Sequence, residues 1–196
     1  MGYFPFFADI KGYKVFVAGG GPVAYRKCGI LLAFGCKVTV FAREVLSDFA
    51  NYPEVTVVEG VLDESKLKET LKDYDMVIAA TNKRLLNQKI SMLCHEIHIP
   101  VNVADSVEES SFLFPSVVTR GDLTIGINTA GKVPAFSGWL KSRLEEMIVT
   151  DMGQLIKELG DLEKKLRLQG ISHKDRGKQL RMILDRDLAD GKIFRN

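Results

Sequence analysis

An apolar run from Tyr13 to Ala18 leads into Gly19-Gly20-Gly21-Pro22-Val23-Ala24, and helical spacing follows through Val23, Ile30, Leu31 and Phe34. This order constrains the fold more than anything else in the chain. A glycine cluster that ends a strand and opens a helix is the phosphate-binding turn of a βαβ unit. Gly19 permits the tight turn, Gly21 lets a pyrophosphate approach the backbone, and Ala24 is small enough for the helix to pack on the strand. Pro22 suits a first helical turn, where a missing N–H costs nothing. The helix N-terminus then offers free N–H groups and the positive end of its dipole to an anion. The motif implies a nicotinamide-type dinucleotide as cofactor.

The rest of the first half repeats the alternation. Strands are expected at 37–42, 55–58, 75–80 and 99–104, with helices at 62–71 and 87–97. Alternating strands and helices give a parallel sheet with crossover helices, an α/β Rossmann-type doubly wound fold. After Asp105 the pattern changes. Residues 112–118 and 123–128 read as an antiparallel hairpin around Thr119-Arg120-Gly121-Asp122. A helix is expected from about Pro134, with Phe136, Leu140, Leu144 and Met147 on one side and Trp139 beside them. Leu155, Leu159, Leu162 and Leu166 then form one helical stripe, and Leu180, Ile183, Leu184 and Leu188 another, separated by Gly170-Ile171-Ser172. The expected division is 1–111 for the dinucleotide-binding domain, 112–147 for a hairpin-helix segment, and 148–196 for a small all-helical region.

Composition narrows the function classes. A net charge of +2 gives no support to nucleic acid as the main partner. From Glu145 onward 11 Lys and Arg face 10 Asp and Glu, the balance of a solvated helical surface. Cys28, Cys36 and Cys94 are odd in number and lack CxxC spacing, so they read as reduced thiols rather than disulfides or a zinc site. His95 and His98 stand beside Cys94, yet that spacing is ordinary for a helix surface, and no metal site is expected. The opening Met-Gly-Tyr-Phe-Pro-Phe-Phe lacks a signal peptide's basic region, Phe6 stands where a myristoylation motif needs Ser or Thr, and no stretch is apolar enough to span a bilayer. A cytoplasmic protein is expected.

Two strand ends carry the candidate chemistry. The second strand closes on Phe41-Ala42-Arg43-Glu44. Glu44 would bond ribose hydroxyls, whereas Arg43 would meet a 2′-phosphate, so the residues alone leave NAD and NADP open. The fifth strand closes on Asn102-Val103-Ala104-Asp105. Ligands of open α/β sheets bind outside the carboxyl ends of the strands. Asp105 is therefore either a proton acceptor beside the nicotinamide or a cap for the next turn.

A longer series is more specific: Tyr3-Phe4-Pro5-Phe6-Phe7 before the first strand, Arg26-Lys27 after the glycine turn, Ala79-Ala80-Thr81-Asn82 with Asn87 soon after, Asn102 to Asp105, then Ser111-Phe112, Pro115-Ser116, Arg120-Gly121 and Thr129 to Pro134. In that order the motifs resemble the precorrin-2 dehydrogenase family, which includes the N-terminal module of siroheme synthases. The resemblance covers residues 3 to about 147. It implies NAD-dependent oxidation of precorrin-2 to sirohydrochlorin, with ferrous-iron insertion left open. It implies a catalytic role for Asp105, cofactor contacts at Pro22, Val23, Arg43 and Glu44, and a homodimer built through the hairpin and following helix. It favours NAD over NADP. With the glycines, Thr81 and Asn102 complete the expected cofactor set. The chain departs from the family pattern at Val133, often Ser, and at Asn128, often Ser or Thr.

A tetrapyrrole substrate carries many carboxylate arms, so cations should ring its cleft. Arg120 and Lys132 are the expected substrate contacts, with Asn128 beside them and Lys141 and Arg143 as further candidates. A reading from another class is a regulatory module that senses NAD(H) without catalysis, since a fold alone does not specify chemistry.

Overall fold

The computed structural model describes residues 3–190 and 193. The chain divides into two compact units, with the boundary between Phe114 and Pro115.

The first unit runs β1 (Lys14–Ala18), α1 (Pro22–Ala33), β2 (Lys37–Ala42), β3 (Thr56–Glu59), α2 (Leu67–Leu71), β4 (Met76–Ala79), α3 (Arg84–Glu96) and β5 (Val101–Val103). The five strands form one parallel sheet in the order β3-β2-β1-β4-β5. Val17 of the central strand pairs with Val40 on one side and Ile78 on the other. The order reverses at β1, which places a switch point between the carboxyl ends of β1 and β4. In this fold class that crevice is where ligands bind.

Side-chain alternation in β1 feeds two cores. Val15 and Val17 pack with Ala24, Cys28 and Leu31 of α1, while Phe16 and Ala18 pack with Leu67, Leu71, Ile90 and Cys94 from α2 and α3. Both faces are covered, which is why β1 is apolar along most of its length. The three thiols are free and buried, and burial pushes Cys28 and Cys94 up to about 12.

The second unit contains β6 (Ser116–Arg120) and β7 (Leu123–Ile127), an antiparallel pair, then α4 (Pro134–Met147), α5 (Met152–Leu168) and α6 (His173–Ala189). Gly121 begins the two-residue turn with φ +58°, a left-handed value that glycine adopts freely. The turn lies against the start of α5, where Gly121 and Gly153 meet backbone to backbone. Ile148, Met152 and Ile193 are buried together, with Leu123, Ile125, Leu144 and Leu155 packed around them. Ser172 caps α6 by accepting the Asp175 N–H at 3.2 Å. On α4, Leu140 and Leu144 are half-buried, but Phe136, Trp139 and Met147 are exposed.

Several expected elements are shorter than their pattern, among them β5, which covers Val101–Val103 of the run read over 99–104. The helix read over 62–71 is confined to Leu67–Leu71. Asp63 Oδ1 accepts both the N–H of Ser65 at 3.0 Å and its hydroxyl at 2.6 Å, a local turn that competes with helix. The extended run read over 112–118 enters the hairpin only at Ser116, because Phe112 and Phe114 pack on the first unit's core instead. No helix among the described residues is long and apolar enough to cross a membrane.

Candidate functional site

The glycine turn is wedged between two loops. Gly19 has φ +111°, and a Cβ there would collide with the Ala80 carbonyl oxygen beyond β4. A Cβ on Gly20 would lie 2.5 Å from the Glu44 carbonyl oxygen, while the Gly20 carbonyl accepts the Leu46 N–H at 3.0 Å. Only Gly21 faces open space. Pro22 opens α1, Gly21 caps it without a side-chain bond, and no acidic residue occupies the first turn. Tyr25 N–H reaches back to the Gly21 carbonyl at 3.0 Å, so the N–H groups of Val23 and Ala24 precede the intrahelical ladder. That geometry suits a phosphate.

A cavity of about 670 Å³ opens here, a size typical of small-molecule sites. Gly19, Gly21, Pro22, Val23, Arg43, Glu44 and Thr81 all line it, so seven of the expected cofactor residues converge on one space. Val61, Leu62 and Leu86 add an apolar wall. Glu64, also on the wall, is tied to Lys89 at 2.7 Å, and that cation holds its carboxyl below the usual range.

Asp105 lies in the turn after β5 and is exposed. Its Oδ1 accepts from Asn87 Nδ2 at 3.2 Å, and its Oδ2 stands 3.9 Å from Arg84 Nε. Both terminal nitrogens of Arg84 are taken by Glu109, at 2.7 and 2.6 Å. Asn87 also bonds the backbone and hydroxyl of Thr81. A continuous chain of hydrogen bonds thus runs from the cavity wall through Asn87 to Asp105.

Asn102 does not line the cavity. It is buried, accepts from Lys27 Nζ at 2.7 Å and donates to the Phe112 carbonyl at 3.1 Å. Strand alternation explains this: Val101 and Val103 pack in the core with α3, and Asn102 between them points to the other face. The expected substrate residues belong to the second unit. Arg120 is committed to two backbone carbonyls, Thr119 at 2.9 Å and Glu145 at 2.8 Å, which tie β6 to α4. Asn128 Oδ1 accepts the Ala130 N–H at 2.9 Å and braces a left-handed Ala130, φ +55°. Lys132 is exposed.

The bridging role of Asn87 and the brace of Arg84 and Glu109 are absent from the sequence motifs. The spacing of Thr81 to Asn87, across the β4–α3 junction, was the available signal. It placed an amide on the first turn of the helix that follows the cavity loop.

Residues 6–116 match a protein family described as "Putative NAD(P)-binding". Similar curated proteins include the siroheme synthase of Zymomonas mobilis, 34% identical over 176 residues, covering 90% of this chain and 37% of that protein. The siroheme synthase of Nitrosospira multiformis is 36% identical over 170 residues, covering 85% and 36%. The chain thus spans a little over a third of the length of these relatives. Among solved structures, SirC, a precorrin-2 dehydrogenase, superposes with a TM-score of 0.69 over 94% of this chain and 91% of its own, at 23% identity. That likeness supports the fold.

Proposed function

The chain belongs to the NAD(P)-binding family that its residues 6–116 match, and on that premise we propose that it is an NAD-dependent dehydrogenase that oxidises precorrin-2 to sirohydrochlorin. One observation carries the reading: the wall of the cofactor cavity and a carboxylate are joined through a single side chain, Asn87. The names borne by its relatives support the same chemistry.

Oxidation of the macrocycle removes a hydride and a proton. Bound NAD would supply the hydride acceptor. The chain's own groups do the rest. The glycine turn and the α1 N-terminus would hold the pyrophosphate, and Arg43 and Glu44, which line the same cavity, would meet the ribose. Asp105 accepts the proton through Oδ2, the oxygen that Asn87 does not engage. Asn102 and the terminal nitrogens of Arg120 act as structural braces, bonded within the chain, while Arg120 Nε is buried without a hydrogen-bond partner. Lys132, with Asn128 nearby in sequence, is assigned to the substrate's carboxylate arms. The exposed Val133, Phe136 and Trp139 favour a second copy of the chain as partner.

Anaerobic incubation with precorrin-2 and NAD tests the reading through NADH absorbance. Asp105→Ala is expected to keep NAD affinity and to lower turnover by about 100-fold or more. Full turnover in that variant removes Asp105 from the mechanism. NAD binding with no NADH from the wild type favours a sensing module instead.

A further inference from the structure

Asn87 is completely buried on the first turn of α3, and its side-chain amide makes four hydrogen bonds. Oδ1 accepts the Thr81 N–H at 3.1 Å and the Thr81 hydroxyl at 2.7 Å. Nδ2 donates to the Thr81 carbonyl at 3.1 Å and to Asp105 Oδ1 at 3.2 Å. Helix packing alone does not call for an amide here, since Ile90 and Cys94 on the same helix are buried and apolar. A buried amide is costly unless its bonds are made. Three of these bonds clamp a residue that lines the cofactor cavity, and the fourth reaches the carboxylate.

The other side of Asp105 is also braced. Arg84 Nε stands 3.9 Å from Oδ2, and Glu109 occupies both terminal nitrogens of the guanidinium, so Arg84 is held in place. Glu108 adds a third acidic charge near Arg84, after Glu109 and Asp105. Oδ1 of Asp105 is therefore anchored by a hydrogen bond, while Oδ2 faces Arg84 at ion-pair distance with its lone pairs not taken by a hydrogen bond, at a position set relative to Thr81.

We propose that Asn87 is a positioning residue that aligns the Asp105 carboxylate with the bound cofactor. The proposal rests on the dehydrogenase reading above and deepens it. It assigns Asn87 no contact with substrate. Its acceptor half holds the Thr81 N–H and hydroxyl, and its donor half spans from the Thr81 carbonyl to the base, which it orients. A misplacement of about 1 Å in a reacting group is enough to cost roughly 100-fold in rate.

Asn87→Asp separates the two halves. The new carboxylate keeps both acceptor bonds to Thr81 and loses the amide donors. It also sets a second acid within hydrogen-bond distance of Asp105, so the two share a proton and hold it to higher pH. The expected result has three parts. NAD affinity by fluorescence titration stays within about threefold of wild type, because two of the three bonds that clamp Thr81 remain. Turnover at neutral pH falls about tenfold or more, with KM for precorrin-2 little changed. The acid limb of the turnover profile moves to higher pH, which a merely structural role would not produce. Wild-type turnover in Asn87→Asp overturns the proposal, as does a parallel loss of NAD affinity and turnover with an unmoved pH profile. Should Asn87→Asp fail to fold, the exchange variant Asn87→Asp/Asp105→Asn restores an amide–carboxylate bond between the two positions with the charge moved. It is expected to fold and bind NAD without turning over, and an active exchange variant overturns the proposal. A wild-type protein that binds NAD and forms no NADH ends the dehydrogenase reading itself and this proposal with it.

Discussion

Lys27 is buried on α1 with neutral partners. Its ammonium donates to Asn102 Oδ1 at 2.7 Å and sits 4.2 Å from the centroid of the Phe114 ring. Burial, with the Arg26 charge adding to it, lowers its pKa from 10.5 to about 8. Below about 8 the group is charged in both folded and unfolded chains, and the burial penalty stands in full. Between about 8 and 10.5 the folded protein releases the proton while the unfolded chain keeps it, so this group makes stability rise with pH, by at most about 1.4 kcal/mol per pH unit. Cys28 and Cys94 act in the opposite sense above about 9, because their folded pKa values are raised. The Lys27 contribution therefore appears as a difference. Urea unfolding at neutral pH and again between about 9 and 10 is expected to show the wild type gaining on Lys27→Met as pH rises. Parallel pH profiles for the two proteins would remove Lys27 from this account.

Among the elements, the hairpin turn and the start of α5 meet with no slack. A Cβ on Gly153 would lie 2.8 Å from the Gly121 Cα, and backbone cannot step aside as a flexible side chain can. Gly153→Ala is expected to cost about 1–3 kcal/mol in chemical denaturation. Gly160→Ala, on the same helix but facing open space, is expected to gain up to about 1 kcal/mol. Equal effects at the two positions would mean the close approach carries no weight. The same elements indicate what a sequence can disclose. β2 lies where alternation put it and β1 starts one residue later, because strands buried on both faces announce themselves as apolar runs. α2 is short because Asp63 and Ser65 bond each other, a contest that periodicity does not register. The glycine turn, Thr81 and Asp105 were legible as motifs at strand ends. Asn102 shared that location, but its place in the pleat turns it toward Lys27 and away from the cavity. Asn87 bridges a helix and two loops, and such a relation exists only once the chain has folded.

For the molecule as a whole, the exposed residues of α4 bear on assembly. Trp139 is 56% exposed and Phe136 48%, large apolar groups at a level that a second chain would relieve. Sedimentation equilibrium at micromolar concentration is expected to give twice the 21.8 kDa of one chain, with Trp139→Glu shifting the protein toward monomer. A monomeric wild type would count against the dimer. The position of β1 has a consequence for synthesis. Its partner β2 follows closely, Lys14 pairing with Lys37, but its other partner is far downstream, Val15 pairing with Met76. At roughly 5–20 residues per second, a ribosome makes that stretch in on the order of 3–12 s. Through those seconds the middle strand of the future sheet has an open, apolar edge, and the nascent chain depends on a chaperone or on its own solubility until β4 emerges.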